Sequence, residues 1–174
     1  ISQISKSGNG FIVDGIIYDN IIYTGDLRSL PSIFNFQALD IPDVLRQNIA
    51  NLSSNPTSNA LCECEPNPYS WVYFPSKNVR CHRAIMTGNF ASSNNGALSN
   101  RAKISCTVEF SKDLPTNAMI SDIKKLPFDM EPIAFNYEKS SYIVHDHSTS
   151  KTVADIKTIV QDHGIYLCGR FAEW

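Results

Sequence analysis

Short apolar runs separated by polar turns dominate the first 25 positions of the chain. The runs Phe11-Ile12-Val13, Ile16-Ile17-Tyr18 and Ile21-Ile22-Tyr23 are rich in β-branched and aromatic residues. This pattern is typical of short strands joined by tight turns. Because the third run is apolar at consecutive positions, we expect that strand to be covered on both faces.

The spacing of apolar residues becomes helical after Pro42. Leu45, Ile49 and Leu52 fall on one helical stripe, and the proline precedes the first turn, where its missing N–H costs nothing. The polar segment 53–59 that follows has the composition of a loop, and we interpret it as an excursion within one domain.

The second half of the chain mixes both periodicities. Alternating or continuous apolar runs predict strands, and 3.6-residue spacing predicts two further helices. The predicted strands cover 71–74, 83–86, 103–110, 132–137 and 165–168, and the helices cover 117–126 and 152–162. We therefore predict an α+β fold, a mostly antiparallel mixed sheet with about three helices packed on it in a single domain.

Composition and charge limit the kinds of partner that the chain is expected to bind. The chain has 174 residues, 43% of them hydrophobic, with 15 Lys and Arg against 17 Asp and Glu. One domain of this size can bury a core, and its formal charge of −2 offers no basic cluster for nucleic acid. No apolar run approaches the ~18 residues of a membrane span, so neither nucleic acid nor membrane is expected as a partner.

The cysteine count indicates the compartment. Five is an odd number of cysteines, and a chain of this size does not depend on disulfide bonds for its stability. This count favours reduced thiols and a cytoplasmic location.

Three motifs carry a resemblance to a known family. Trp71-Val72-Tyr73-Phe74-Pro75 with the downstream Arg83 resembles a strand and arginine of UDP-galactopyranose mutases, especially their eukaryotic-like branch. The segment 165–174, with Gly169-Arg170-Phe171 and Trp174, looks like the flavin motif near the carboxyl end of that family. The segment 18–25 is similar to the strand by which the substrate domain of these flavoenzymes returns to the flavin domain.

The resemblance implies a missing half. Flavoenzymes of this class begin with a strand, a G-x-G-x-x-G turn and a helix that hold the cofactor pyrophosphate. The one G-x-G of this chain, Gly8-Asn9-Gly10, has Val13 where the third glycine would fall. We therefore expect residues 1–174 to be the substrate-binding domain of a larger FAD-dependent protein, with FAD in the parent and none tightly bound to this part.

The resemblance also assigns candidate site residues. It implies that Arg83 faces the substrate diphosphate, that Tyr73 lies near the sugar and phosphates, and that Tyr142 contacts the diphosphate. The family tends to have proline where this chain has Val144, which makes the match at Tyr142 weaker. Gly169 and Arg170 correspond to residues that meet FAD. No catalytic residue and no metal ligand are assigned, since the reduced flavin itself attacks the sugar in this family.

Elementary chemistry supports the role of Arg83. A guanidinium stays charged and presents a fixed fork of donors, which suits the charge that develops on a leaving diphosphate. Trp71 and Tyr73 fall on the same face of their strand, so they serve either as core aromatics or, for Trp71, as a stack for uridine or sugar. A surface arginine at the strand end remains the alternative for Arg170.

Two other clusters are weaker. Cys62-Glu63-Cys64 with Cys81-His82 lacks the usual zinc spacing, and His145-Asp146-His147 has no third ligand at a suitable distance along the chain. Solvated loop histidines explain the second cluster more simply.

The expected function is nucleotide-sugar binding for a mutase-like flavoenzyme that interconverts pyranose and furanose forms of UDP-galactose for surface polysaccharide or lipopolysaccharide synthesis. The expected partners are a UDP-sugar and the flavin-binding domain of the same polypeptide. Without the flavin domain, the apolar surface that it would cover is expected to cause self-association of this part. Two alternatives stay open: the substrate domain of an amine oxidase or protoporphyrinogen oxidase relative, and an independent carbohydrate- or protein-binding module.

Overall fold

The structure, a computed structural model, describes residues 4–8, 10–35, 39–95 and 103–174. Asn9, in the middle of the G-x-G turn, lies outside the described residues. The strands are β1 (Ser5–Ser7), β2 (Gly10–Val13), β3 (Ile16–Tyr18), β4 (Ile21–Tyr23), β5 (Ser53–Cys64), β6 (Trp71–Tyr73), β7 (Cys81–Ile85), β8 (Ile104–Phe110), β9 (Met130–Val144) and β10 (Ile165–Leu167). The α-helices are α1 (Leu30–Ile33), α2 (Asp43–Ala50), α3 (Thr116–Ile123) and α4 (Thr149–Asp162).

The predicted α+β class is confirmed. Helices α2, α3 and α4 correspond to the three predicted ones, and α1 is a single turn that is too short to leave a periodic pattern. The chain divides into two compact units, one formed by Ile1–Ser53 with Ile143–Trp174 and the other by Ser54–Tyr142. We call them the split unit and the central unit and describe each by itself.

The split unit contains two small sheets. Strands β1, β2 and β3 form an antiparallel meander, and β4 pairs in parallel with β10. The β2–β3 turn consists of Asp14 and Gly15, both with positive φ (49° and 81°), as a tight two-residue hairpin requires. Its core joins Phe11, Leu27 and Ile49 to the inner face of α4, including Ile156.

One strand of the split unit departs from expectation. The prediction that Ile21-Ile22-Tyr23 is covered on both faces is wrong, because the Ile22 side chain is 70% exposed. Strand β4 has β10 as its partner in a two-stranded sheet, and only Tyr23 on this strand is buried. A run of consecutive apolar residues therefore marked an exposed apolar surface rather than a central strand.

The central unit is built on a five-stranded sheet with the order β6-β7-β8-β5-β9. The pairs β6–β7, β7–β8 and β5–β8 are antiparallel. One face of this sheet packs under α3, whose Met119 and Ile123 join the core of the unit.

The prediction of a loop at 53–59 is wrong, since this segment is the first half of β5. Its polar side chains are used within the central unit: Ser54 Oγ donates to Ser140 Oγ at 3.1 Å, and Thr57 and Ser141 share a hydrogen bond of 2.6 Å. Pro56 precedes Ser58, the first residue paired with β8, so it lies outside that ladder.

Candidate functional site

The face of the five-stranded sheet opposite the core of the central unit carries most of the predicted site residues. Along β5 and β8, the residues Ala60, Cys62, Cys106 and Val108 are buried in the core of the central unit. Because side chains alternate along a strand, the residues between them lie on the opposite face. This face is polar and aromatic, and we call it the open face.

A continuous cross-strand row runs over the open face. Tyr73 on β6 pairs with Arg83 on β7, Arg83 pairs with Glu109 on β8, and Glu109 pairs with Asn59 on β5. Directly paired residues in antiparallel strands have neighbouring side chains. The register thus makes Tyr73 and Arg83 cross-strand neighbours.

Glu109 is the hub of this row. Its buried carboxylate accepts hydrogen bonds from Tyr142 Oη at 2.6 Å and from Arg83 Nη2 at 3.1 Å, and His82 Nε2 lies 2.8 Å from Oε1. Arg83 Nη2 also bonds to Tyr142 Oη, and the guanidinium lies 5.9 Å from the centre of the Tyr142 ring. Buried carboxylates need such partners, because an unpaired charge in the interior is costly.

A β-bulge brings two consecutive residues to the same carboxylate. The register of β7 against β8 shifts between Cys81 and Arg83, so that His82 is the extra residue. In a regular strand His82 and Arg83 would point to opposite faces, whereas both reach Glu109 here. The other ring nitrogen of His82, Nδ1, is 2.9 Å from Ser111 Oγ.

The electrostatics follow from this geometry. Burial opposes the charge of Arg83, but its hydrogen bonds with Glu109 and Tyr73 and the negative charge of Glu109 raise the pKa of the guanidinium above its usual value. Burial lowers the pKa of His82, and the attraction of Glu109 only partly offsets this effect. The imidazole is therefore neutral near pH 7, and Arg83 and Glu109 form a pair without net charge.

Arg83 keeps one unused donor. Its Nε is buried and has no hydrogen-bond partner among the described residues. About a fifth of the Arg83 side chain (21%) remains exposed.

Trp71 and Tyr73 are not core aromatics. Their side chains are 51% and 57% exposed, and Trp71 forms an edge contact with Phe90 at a centroid distance of 6.2 Å. An exposed aromatic pair beside a charged row is a surface on which a flat ring or a sugar can stack.

Gly169 and Arg170 belong to the split unit. Gly169 follows β10 with φ of 92°, and its N–H donates to Glu173 Oε2 at 3.3 Å. Lys157 Nζ lies 2.6 Å from the other oxygen of Glu173, and this ion pair together with the Gly169 N–H lowers the pKa of Glu173. Arg170 is exposed in the turn that follows β10.

The remaining candidates have structural roles. Asp146 accepts hydrogen bonds from the backbone and hydroxyl groups of Ser148 and Thr149 at the start of α4, while His145 and His147 are exposed. Among the described residues no group of three or more His, Cys, Asp or Glu side chains is arranged to hold a metal ion. Within the same part of the chain, none of the helices is long and apolar enough to cross a bilayer.

Sequence reasoning missed Glu109 and His82 as members of the site. A signal was present in the sequence for Glu109, since it is the charged residue of β8 and all the other residues of that strand are uncharged. The role of His82 could not be predicted, because it depends on a bulge that leaves no pattern in the sequence.

By sequence, the chain matches no family model and no curated protein. Its fold, however, is shared with solved structures whose names include a mutase and oxidoreductases. It superposes on reduced UDP-galactopyranose mutase with a TM-score of 0.77 and 16% identity, covering 98% of this chain and 40% of that one.

Two other structures are similar to the chain. An oxidoreductase from Methanosarcina mazei has a TM-score of 0.66 at 14% identity, with 97% of this chain and 42% of that chain covered. A putative protoporphyrinogen oxidase from Exiguobacterium sp. 255-15 has a TM-score of 0.60 at 10% identity, with 96% and 40% covered. The chain thus spans about two fifths of the length of these proteins, and the resemblance drawn from the sequence motifs is confirmed at the level of the fold.

Proposed function

We propose that this chain is the substrate-binding part of an FAD-dependent enzyme resembling UDP-galactopyranose mutases, and that the open face of the central unit binds a nucleotide sugar. The observation that carries the proposal is the cross-strand placement of Arg83 between Tyr73 and the Glu109–Tyr142 pair. A partly exposed arginine flanked by two phenol groups suits a substrate that carries both a diphosphate and sugar hydroxyl groups.

Trp71 supplies the second element of the proposal. It lies on the same strand face as Tyr73, two residues away, and more than half of its side chain is exposed. Stacking of a uracil or sugar ring on this indole would complement the charge of Arg83. In the parent enzyme the flavin would supply the covalent chemistry, while these residues place the substrate.

The proposed flavin partner has a candidate contact surface in the split unit. A groove of about 610 Å³ is lined by Tyr18, Asn20 and the whole segment 21–26, together with Val13 and Ile33. This segment is the one that resembles the connection to the flavin domain, and Ile22 is exposed there. We propose that the flavin domain covers this groove and that Gly169 and Arg170 contribute to FAD binding in the parent, which synthesises surface polysaccharide precursors in the cytoplasm.

Titration with UDP tests the proposal. Quenching of Trp71 fluorescence and calorimetry should both report binding, and Arg83→Ala should weaken it by about 30-fold, or ~2 kcal/mol, the value of a charge-assisted hydrogen bond. Arg46→Ala, which removes an exposed arginine on α2, is the control and should leave the affinity unchanged.

Glu109 provides a sharper test of the same site. Its carboxylate neutralises Arg83 and repels a diphosphate, so Glu109→Gln should tighten UDP binding by about three- to tenfold. A chain that is indifferent to UDP in all of these variants would contradict the nucleotide-sugar proposal and favour the oxidase-type alternative.

The exposed aromatics support a second candidate. Tyr69, Trp71 and Tyr73 are each about half exposed, which is also the pattern of a carbohydrate-binding surface. Binding of free galactose with an affinity equal to that of UDP-galactose, unaffected by Arg83→Ala, would favour this alternative.

A further inference from the structure

Ser111, His82 and Glu109 form a hydrogen-bonded chain at the end of β8. Ser111 Oγ lies 2.9 Å from His82 Nδ1, and His82 Nε2 lies 2.8 Å from Glu109 Oε1. Glu109 and Ser111 are two residues apart, and the bulge at His82 places the imidazole between them. Neither the proposed nucleotide-sugar site nor the flavin chemistry uses Ser111.

The partners determine which nitrogen of His82 carries the proton. A carboxylate is an acceptor only, so Nε2, which faces Glu109, must carry the hydrogen in the neutral ring. Nδ1 is then unprotonated and accepts the hydrogen bond of the Ser111 hydroxyl. This is the arrangement in which an imidazole can take a proton from a serine.

Two further side chains hold the Glu109 carboxylate in place. Arg83 donates to Oε2, and Tyr142 donates to Oε1, the oxygen that His82 also contacts, which leaves the carboxylate little freedom to turn away from His82. Ser111 itself is exposed to solvent in the bend that follows β8, so a reagent can reach its hydroxyl. Ser111, His82 and Glu109 thus provide an accessible hydroxyl, a neutral base and a positioned carboxylate that contact one another in that order.

We propose that Ser111 is an activated nucleophile and that Ser111, His82 and Glu109 form an acyl-transfer site for small activated esters. The Ser111 Oγ–H bond breaks as the proton passes to His82 Nδ1 and Oγ bonds to the acyl carbon. The bond from that carbon to the leaving oxygen then breaks, and the leaving oxygen takes the proton from His82. Water repeats the same steps, releasing the carboxylic acid and restoring Ser111.

The charged groups that act on His82 are Glu109 on the neighbouring strand and Arg83 on its own strand. Burial is the largest influence on the imidazole and lowers its pKa, which keeps the base unprotonated at neutral pH. Glu109 is a positioning residue here, because it acts on the nucleophile through His82.

The test is covalent labelling of the full chain with a fluorophosphonate probe, followed by peptide mass spectrometry, with p-nitrophenyl acetate hydrolysis as a second readout. We expect the label on Ser111. Ser111→Ala should abolish it, and His82→Gln should slow it about 100-fold, the usual contribution of a general base. Ser76→Ala is the control, since Ser76 is an exposed serine whose hydroxyl accepts from the Asn78 N–H.

Glu109→Gln separates positioning from simple structural support. Loss of the carboxylate removes the group that stabilises the imidazolium, so the inflection of the pH–rate profile should move to lower pH while the rate falls about tenfold. An unlabelled Ser111 peptide, or equal labelling of Ser76 and Ser111, would overturn the proposal. Ser111→Ala should leave UDP affinity unchanged, so the outcome is independent of the proposed nucleotide-sugar function.

Discussion

Removing the Asp122 carboxylate should destabilise the central unit, and the loss of stability can be assigned to particular hydrogen bonds. Its side chain on α3 is almost fully buried (2% exposed). It accepts hydrogen bonds from the Arg80 backbone N–H at 2.9 Å, from Arg80 Nε at 2.7 Å and from Lys125 Nζ at 2.9 Å. This contact ties α3 to the residue that precedes β7, the strand that carries His82 and Arg83.

The magnitude follows from the exposure of the donors. The side chains of Arg80 and Lys125 are about half exposed, so solvent screens their ion pairs and we count nothing for them. The backbone hydrogen bond to a buried carboxylate is worth about 1.5–3 kcal/mol. Asp122→Ala should therefore cost about 2 kcal/mol, or roughly 4–8 °C in Tm for a chain of this size. Asp122→Asn keeps an acceptor for the N–H and should cost less.

The loss should also depend on pH. The hydrogen bonds from Arg80 and Lys125 hold the pKa of Asp122 well below its ordinary value of 3.8. The folded state therefore keeps this carboxylate ionised where the unfolded state takes up a proton, and the stabilisation is present above pH 3.8 and is lost as pH falls.

Urea denaturation followed by circular dichroism at pH 7 and at pH 3 measures both effects. The exposed Asp113 provides the control variant Asp113→Asn, which should change the stability little. The reasoning would be refuted by an Asp122→Ala variant as stable as this control, or by a difference that is equally large at both pH values.

Two further predictions concern thiols and the start of α4. Titration with a thiol reagent in native buffer should modify Cys168 alone, because Cys168 is exposed and the other four cysteines are buried. Burial also raises the pKa of Cys81 to about 11, which disfavours its reactive thiolate. In denaturant all the buried thiols should react: Cys62, Cys64, Cys81 and Cys106. Rapid native modification of more than one thiol would show that the sheet core opens readily. Asp146→Ala should lower Tm by a few degrees and speed amide exchange in the first turn of α4, because the Asp146 carboxylate accepts hydrogen bonds from Ser148 and Thr149 at the start of that helix. The same hydrogen bonds lower the pKa of Asp146 to about 2. Unchanged exchange would contradict the capping role.

Local patterns predicted most elements correctly, and the failures have physical causes. The helices starting near Asp43, Thr116 and Thr149 were found because each buries one apolar stripe that repeats every turn. The composition of segment 53–59 predicts a loop, because Ser, Asn and Pro are poor strand formers. Its hydrogen bonds to Ser140 and Ser141 come from 84 to 86 residues away, a distance over which periodicity carries no information.

The candidate site divides in the same way. The sequence predicts that Trp71 and Tyr73 share a strand face and that Arg83 follows them, because the alternation of side chains between two faces is a local property of a strand. The sequence alone thus determined the α+β class, the three long helices and the strand that bears the aromatics. Only the tertiary structure decided that Arg83 is paired with Glu109 and that a bulge turns His82 toward the same carboxylate, since strand register and bulges depend on partners far along the chain.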